Sequence, residues 1–376
     1  MATTEVGASR RHVAWLTTDV GRGRAAVGIV VAAAVALAAC GGSEEAPSSV
    51  STQSGSTAVA ATVIHDGASQ TERESKPRAK MPRSFQRRGI LGLSVTPDGN
   101  TLAVTGADGS VQLVDLTGRQ AARRLAGHRA AVPAAEFSAD GKHLVSVGRD
   151  SLAHVWSVDS GERRATLRGH EHPIRALAAS RDGGIIATGG DETRVLLWNG
   201  TTGQMQGKLS GEHTSFVNAL AFRGDAQVLA SGDAQGHILL WDVRAARLIA
   251  NLRGHANEVN ALAFAPSGRL LASAGEEGQV LLWDSATGAR VASLPGATGA
   301  VRSLAFSPDG AYLVGGLANG RVVVWDSGAR SVARDIAVSS AGINALRFDR
   351  RDARRLFVGS EDGSLGSWDV ESGGSR

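Results

Sequence analysis

The sequence predicts an all-β fold assembled from tandem units, and three observations carry this expectation. Trp156, Trp198, Trp241, Trp283, Trp325 and Trp368 are separated by 42, 43, 42, 42 and 43 residues. A constant interval of this length marks a repeat architecture rather than a string of unrelated domains. Each Trp closes a short aliphatic run, as in Arg194-Val195-Leu196-Leu197-Trp198, His237-Ile238-Leu239-Leu240-Trp241 and Arg321-Val322-Val323-Val324-Trp325. That length, with β-branched residues prominent, suits strands. Turn sequences recur at the same interval: Pro97-Asp98-Gly99, Ala139-Asp140-Gly141, Arg181-Asp182-Gly183, Pro266-Ser267-Gly268 and Pro308-Asp309-Gly310. Such turns join antiparallel neighbours.

Composition narrows what such a repeat can do. The chain has 376 residues, 42% of them hydrophobic, with 48 Gly besides, enough for one large core. Trp supplies 7 of the aromatics against a single Tyr, which points to a set structural slot for Trp. Charged residues are 20%, too few for a wholly disordered or nucleic-acid-coating chain. The net charge is only +4 and no basic stripe is clustered, so no nucleic-acid partner is expected. A single Cys excludes an internal disulfide framework and a Cys-based zinc site.

The N-terminal elements come first. Arg10, Arg11, Arg22 and Arg24 precede residues 25–39, an unbroken run of Ala, Val, Ile, Leu and one Gly. The run is shorter than the roughly 20 residues a bilayer span needs and fits the apolar core of a secretory signal. It ends in Leu37-Ala38-Ala39-Cys40, followed by Gly41-Gly42-Ser43. This resembles the lipobox of bacterial lipoproteins, which implies cleavage before Cys40 and lipidation at it. The alternative is an uncleaved anchor helix. Ser9-Arg10-Arg11-His12-Val13 partly resembles a twin-arginine signal, which leaves the export route open. Residues 40–77, rich in Ser, Thr, Ala, Gln and Glu without apolar periodicity, read as a flexible tether. The expected organisation is a signal peptide over 1–39, a tether over 40–77 and the repeat domain over 78–376.

Within the repeat domain, Val114 stands one period before Trp156 and is followed by Asp115, as Trp241 is by Asp242; this makes seven units. The His of Gly127-His128, Gly169-His170 and Gly254-His255 precedes its Trp by 28 residues, and His213 keeps the same spacing. Trp-Asp stands at Trp241, Trp283, Trp325 and Trp368, and becomes Trp156-Ser157 and Trp198-Asn199 elsewhere. With these signatures in register, residues 78–370 resemble the WD-repeat β-propeller family. The resemblance implies a seven-bladed β-propeller of four-stranded antiparallel blades. After Trp368 the chain is too short for the outer strand that follows the other Trp residues. The matching strand upstream of Gly127-His128 falls at about 78–83, so the ring is expected to be closed by this N-terminal strand, with Pro82 on its edge.

His128, Ser146, Asp150 and Trp156 contain the residue types of a nucleophilic triad. The family resemblance implies instead a structural chain from Asp to His to hydroxyl to Trp. Graded variants recur in the following units: His170, Thr188, Glu192 and Trp198; His213, Ser231, Gln235 and Trp241; His255, Ser273, Glu277 and Trp283. A catalytic set is normally unique, so these are expected to be structural. His170-Glu171-His172 lacks a third ligand at metal spacing, and neither metal nor cofactor is expected. The family typically meets its partners on the narrow face, at the starts of the innermost strands. The candidates there are Arg175, Phe216, Asn218, Asn260 and Arg302, with Phe216 and the two Arg as anchors.

The leading functional expectation is a non-catalytic protein–protein interaction scaffold. It would be monomeric, with protein partners, and held by its lipid anchor to a membrane of the bacterial cell envelope, on the periplasmic or extracellular side. The alternative is an extracytoplasmic propeller enzyme or a small-ligand sensor using the central channel, which requires a convergent chemical set distinct from the repeat background.

Overall fold

The computed structural model describes residues 89–376. The expected signal peptide, Cys40, the tether and the closing segment at 78–83 lie outside the described residues. The described chain is all-β: seven antiparallel sheets follow one another in sequence, each a meander whose strands pair with their chain neighbours. We number these blades 1 (90–125), 2 (134–167), 3 (174–209), 4 (217–252), 5 (259–294), 6 (301–337) and 7 (343–369). Blades 1–6 have four strands. Blade 7 has three, ending in Leu365–Asp369, with Ser375 bridged to Trp368. The seven-residue offset from Trp368 to Ser375 is that of Trp156 to Arg163 and Trp198 to Met205. Ser375 therefore bridges Trp368 in the register of the outer strand of the other blades, although no fourth strand forms among the described residues of blade 7.

The ring is held by apolar layers between successive blades. Trp156 packs with blade 1 residues Leu113 and Leu125, Trp198 with Val145 and Leu167 of blade 2, and Trp241 with Val195 and Leu209 of blade 3. Each of these indoles is at most 2% exposed, and burying one removes about 150–250 Å² of aromatic surface from water. This is why the Trp period coincides with the blade period. The same logic closes the ring. Gly359 of blade 7 lies so close to blade 1 that a Cβ there would stand 2.6 Å from Ile90 Cγ2. The Asn344 side-chain amide donates to the Ile90 carbonyl at 2.9 Å.

The repeated turns need a left-handed residue. Gly141 supplies it at φ 71°. In blade 4 the same position is Ala226, held at φ 60° by a turn in which its N–H donates to Arg223 O; a Cβ there is tolerated at some cost in strain.

Candidate functional site

Two sets of side chains matter: the histidine networks between blades and a polar belt at the start of the inner strands. In blade 2, His128 Nε2 lies 2.8 Å from Ser146 Oγ, and the Trp156 indole N–H donates to that oxygen at 2.8 Å. His128 Nδ1 is 3.0 Å from Asp150 Oδ2. Burial lowers the His128 pKa, against the opposing pull of Asp150, so the ring is neutral at pH 7. A neutral ring donates from Nδ1 to the carboxylate and accepts the Ser146 hydroxyl at Nε2. Ser146 is fully buried, with its hydroxyl held by two partners.

Blade 3 repeats this with His170 to Thr188 at 2.7 Å and Trp198 to Thr188 at 2.8 Å. Its Glu192 turns one oxygen to the backbone N–H groups of Glu171 and His172, at 2.6 and 3.1 Å, and stays 3.4 Å from His170 Nδ1. Blade 5 joins His255 to Ser273 at 2.7 Å and to Glu277 at 2.5 Å, with Trp283 on Ser273 at 2.8 Å.

Blade 4 departs from the spacing argument. His213 meets Ser231 at 2.6 Å and Trp241 donates to Ser231 at 2.7 Å, but the third partner is Asp233, not Gln235. Gln235 instead accepts from the Thr214 hydroxyl at 2.7 Å. Asp233 is completely buried and takes His213, His237 and the backbone N–H groups of Gln235 and His237. Burial opposes its ionisation, yet these donors outweigh it and push the pKa down to about 2. The available signal was a carboxylate, Asp233, two positions before the slot. In blade 6, Trp325 has no hydroxyl partner and donates to the Pro295 carbonyl at 2.6 Å.

One buried group escaped the sequence reading. His154, in the third strand of blade 2, is 1% exposed and stands where blades 3–6 carry Leu196, Leu239, Leu281 and Val323. Its Nδ1 is 3.1 Å from Thr166 Oγ1, its Nε2 is unsatisfied, and its ring centroid is 4.4 Å from that of His128. Burial first, then repulsion from His128, lowers its pKa to about 4. His128, Asp150 and His154 bring three potential ligand atoms within 4.8 Å of one another. Both His128 nitrogens are already engaged with Asp150 and Ser146, so a metal ion there would have to displace the blade network.

The second set follows from a backbone irregularity. In blades 1 and 3–7 the inner strand is bulged directly after its first paired residue. The unpaired residues are Leu91, Arg175, Asn218, Asn260, Arg302 and Asn344. A bulge re-aims a side chain out of the ladder, which places four of the five interface candidates on one rim. They are not free there. Asn218 donates to Glu258 at 3.2 Å, and Asn260 to Glu276 at 2.9 Å and to Val301 O at 3.3 Å. Arg302 donates to Asn344 at 2.9 Å and Glu361 at 2.8 Å, and Asn344 reaches blade 1. Arg175 pairs with Asp191 and stacks on Phe216, 4.9 Å from the ring centroid. Phe216 is 43% exposed, the one large aromatic among the described residues left so open.

The WD40 family, described as WD domain, G-beta repeat, matches the chain over residues 80–115, 119–157, 161–199, 203–242, 246–284 and 288–326. The six matched segments stop short of blade 7. No curated protein matches the chain.

Proposed function

The chain belongs to the WD40 family of WD-domain, G-beta repeats, and from that premise we propose that it is a non-catalytic protein–protein interaction scaffold, lipidated at Cys40 and held at a bacterial membrane outside the cytoplasm. The observation that carries the scaffold reading is the Phe216–Arg175 pair, an exposed aromatic with a cation on its face at the rim of the ring. Aromatic and Arg side chains dominate interface energies, and a ring already stacked under Arg175 loses less entropy on binding than a free one. The His–hydroxyl sets weigh against catalysis: Ser146, Thr188, Ser231 and Ser273 are all fully buried, each holding an indole N–H. The anchoring part rests on the sequence at Cys40 alone.

Crosslinking of the native membrane protein, with mass spectrometry of its neighbours, identifies the partner. Phe216→Ala should then weaken its binding roughly thirtyfold, as a hot-spot loss of about 2 kcal/mol does. Arg302→Ala is a less selective probe, since it also frees Asn344 and Glu361 between blades 6 and 7. Binding that is indifferent to Phe216→Ala and lost with Asp140→Ala or Asp309→Ala on the opposite turns would refute the rim model. Acyl labelling should vanish in Cys40→Ala, and labelling that persists would refute lipidation there.

A further inference from the structure

At the end of the central channel opposite the polar belt lies a cavity of about 520 Å³, within the roughly 300–1,000 Å³ typical of small-ligand sites. Its wall is uneven because one inner-strand position differs between blades. In blades 2 and 7 this position is Glu136 and Arg347, which form a two-pronged ion pair at 2.8 and 3.0 Å; Ser94 of blade 1 donates to Glu136 at 3.0 Å. In blades 3–6 it is Ala178, Ala221, Ala263 and Ala305. Four alanines in a row leave an open apolar wall, continued toward the mouth by Phe222, Phe264 and Phe306, all partly exposed.

The mouth is cationic. Arg181, Arg223, Arg347 and Arg350 line the cavity, and the one carboxylate among its lining residues is Glu136. Glu136 is taken by Arg347, and Arg223 is taken by Asp225 at 2.6 Å. Among the described residues, neither Arg181 nor Arg350 has an ion-pair partner within 4.0 Å. Arg350 is open to water within this mouth, yet the surrounding protein lowers its pKa, mainly by desolvation, with repulsion from Arg347 and Arg181 added to it and Glu136 opposing. An anion placed between these guanidinium groups relieves their mutual repulsion.

We propose that this channel end binds a small amphipathic carboxylate: the carboxylate on Arg350 and Arg181, the apolar body along the alanine wall and the three Phe rings. The assignment is independent of the scaffold reading, whose surface lies at the other rim. It follows from two features of this end of the channel, the cations without ion-pair partners and the run of four alanines facing them.

Calorimetric titration of the folded protein with decanoate, below its micelle concentration, tests this against decanol and acetate. One decanoate should bind per chain, at least tenfold more tightly than decanol, with acetate far weaker. Arg181→Gln combined with Arg350→Gln should abolish the preference for decanoate over decanol while leaving the melting temperature unchanged. Ala263→Leu, or Ala305→Leu as a second filling variant, should weaken decanoate and decanol alike by tenfold or more. Acetate matching decanoate would reduce the site to an anion contact and overturn the proposal. So would the absence of decanoate binding, or decanoate binding that survives both the filling and the Arg substitutions.

Discussion

Replacing His154 by Leu should make the protein more stable, and more so in acid. Leu or Val already fills this position in blades 3–6, where each side chain is at most 2% exposed, so the blade geometry accepts an aliphatic residue. Near neutral pH the substitution removes an unsatisfied buried nitrogen, a cost of about 1–3 kcal/mol, and gives up the hydrogen bond to Thr166, worth about 1 kcal/mol. The net gain is about 1 kcal/mol. Protonation adds a second component. His154 has an ordinary pKa of 6.5 when unfolded and about 4 when folded. The unfolded chain therefore binds the proton first, so the stability His154 permits is complete above pH 6.5 and is lost as the pH falls toward 4. At pH 4.5 the loss amounts to about 2–3 kcal/mol. Guanidinium unfolding followed by tryptophan fluorescence at pH 7.5 and 4.5 measures both. The wild type should lose most of this amount between the two pH values, and His154→Leu should lose correspondingly less; a residual slope from His128 and His170, whose burial also lowers their pKa values, should remain. An identical pH dependence in the two proteins would refute the buried-histidine argument.

Other outcomes follow from the blade networks. His128→Ala should lower stability by about 1–3 kcal/mol in thermal or chemical unfolding, because Ser146 and Asp150 each lose a buried partner; an activity lost without any loss of stability would instead revive a catalytic role for this set. Asp233→Asn should cost about 2–3 kcal/mol, since hydrogen bonds to a buried carboxylate are charge-assisted, while Gln235→Ala should stay within about 0.5 kcal/mol. The reverse order in unfolding midpoints would restore Gln235 to the network.

The period of the six Trp residues placed blades 2–7, because an indole between blades is spaced by the repeat itself, and extending it one step to Val114 placed blade 1. The partners of the blade histidines were readable where the acidic residue kept its offset from the strand hydroxyl, as with Asp150 and Glu277. They were not readable in blade 4, where Asp233 reaches His213 from the end of its own strand and the offset shifts by two. His154 was hidden for a related reason: a lone His in an aliphatic run has no periodic signal, and only burial reveals its cost. Four of the candidate interface residues, Arg175, Asn218, Asn260 and Arg302, share an inner-strand position that the alignment of repeats exposes, and Phe216 stands two residues before it in its own repeat. That most of them are already bonded to neighbouring blades depends on the bulge, which no residue type announces. The contrast between Glu136, Arg347 and four alanines was present in the repeats, but their convergence on one cavity required the ring.

Closure of that ring has a consequence for how the chain folds. The Asn344–Ile90 contact joins residues 254 apart in sequence, and holding the ends of a flexible loop of that length together costs about 5 kcal/mol in chain entropy. All other blade interfaces connect neighbours about one repeat apart, so they can form early. As successive blades stack, they convert the long loop into a curved, stiff arc whose two ends already approach each other. The search for the final contact is then shortened by the structure made before it, and the entropic charge is distributed over six local steps. The last interface should consequently be the slowest to form and the first to open.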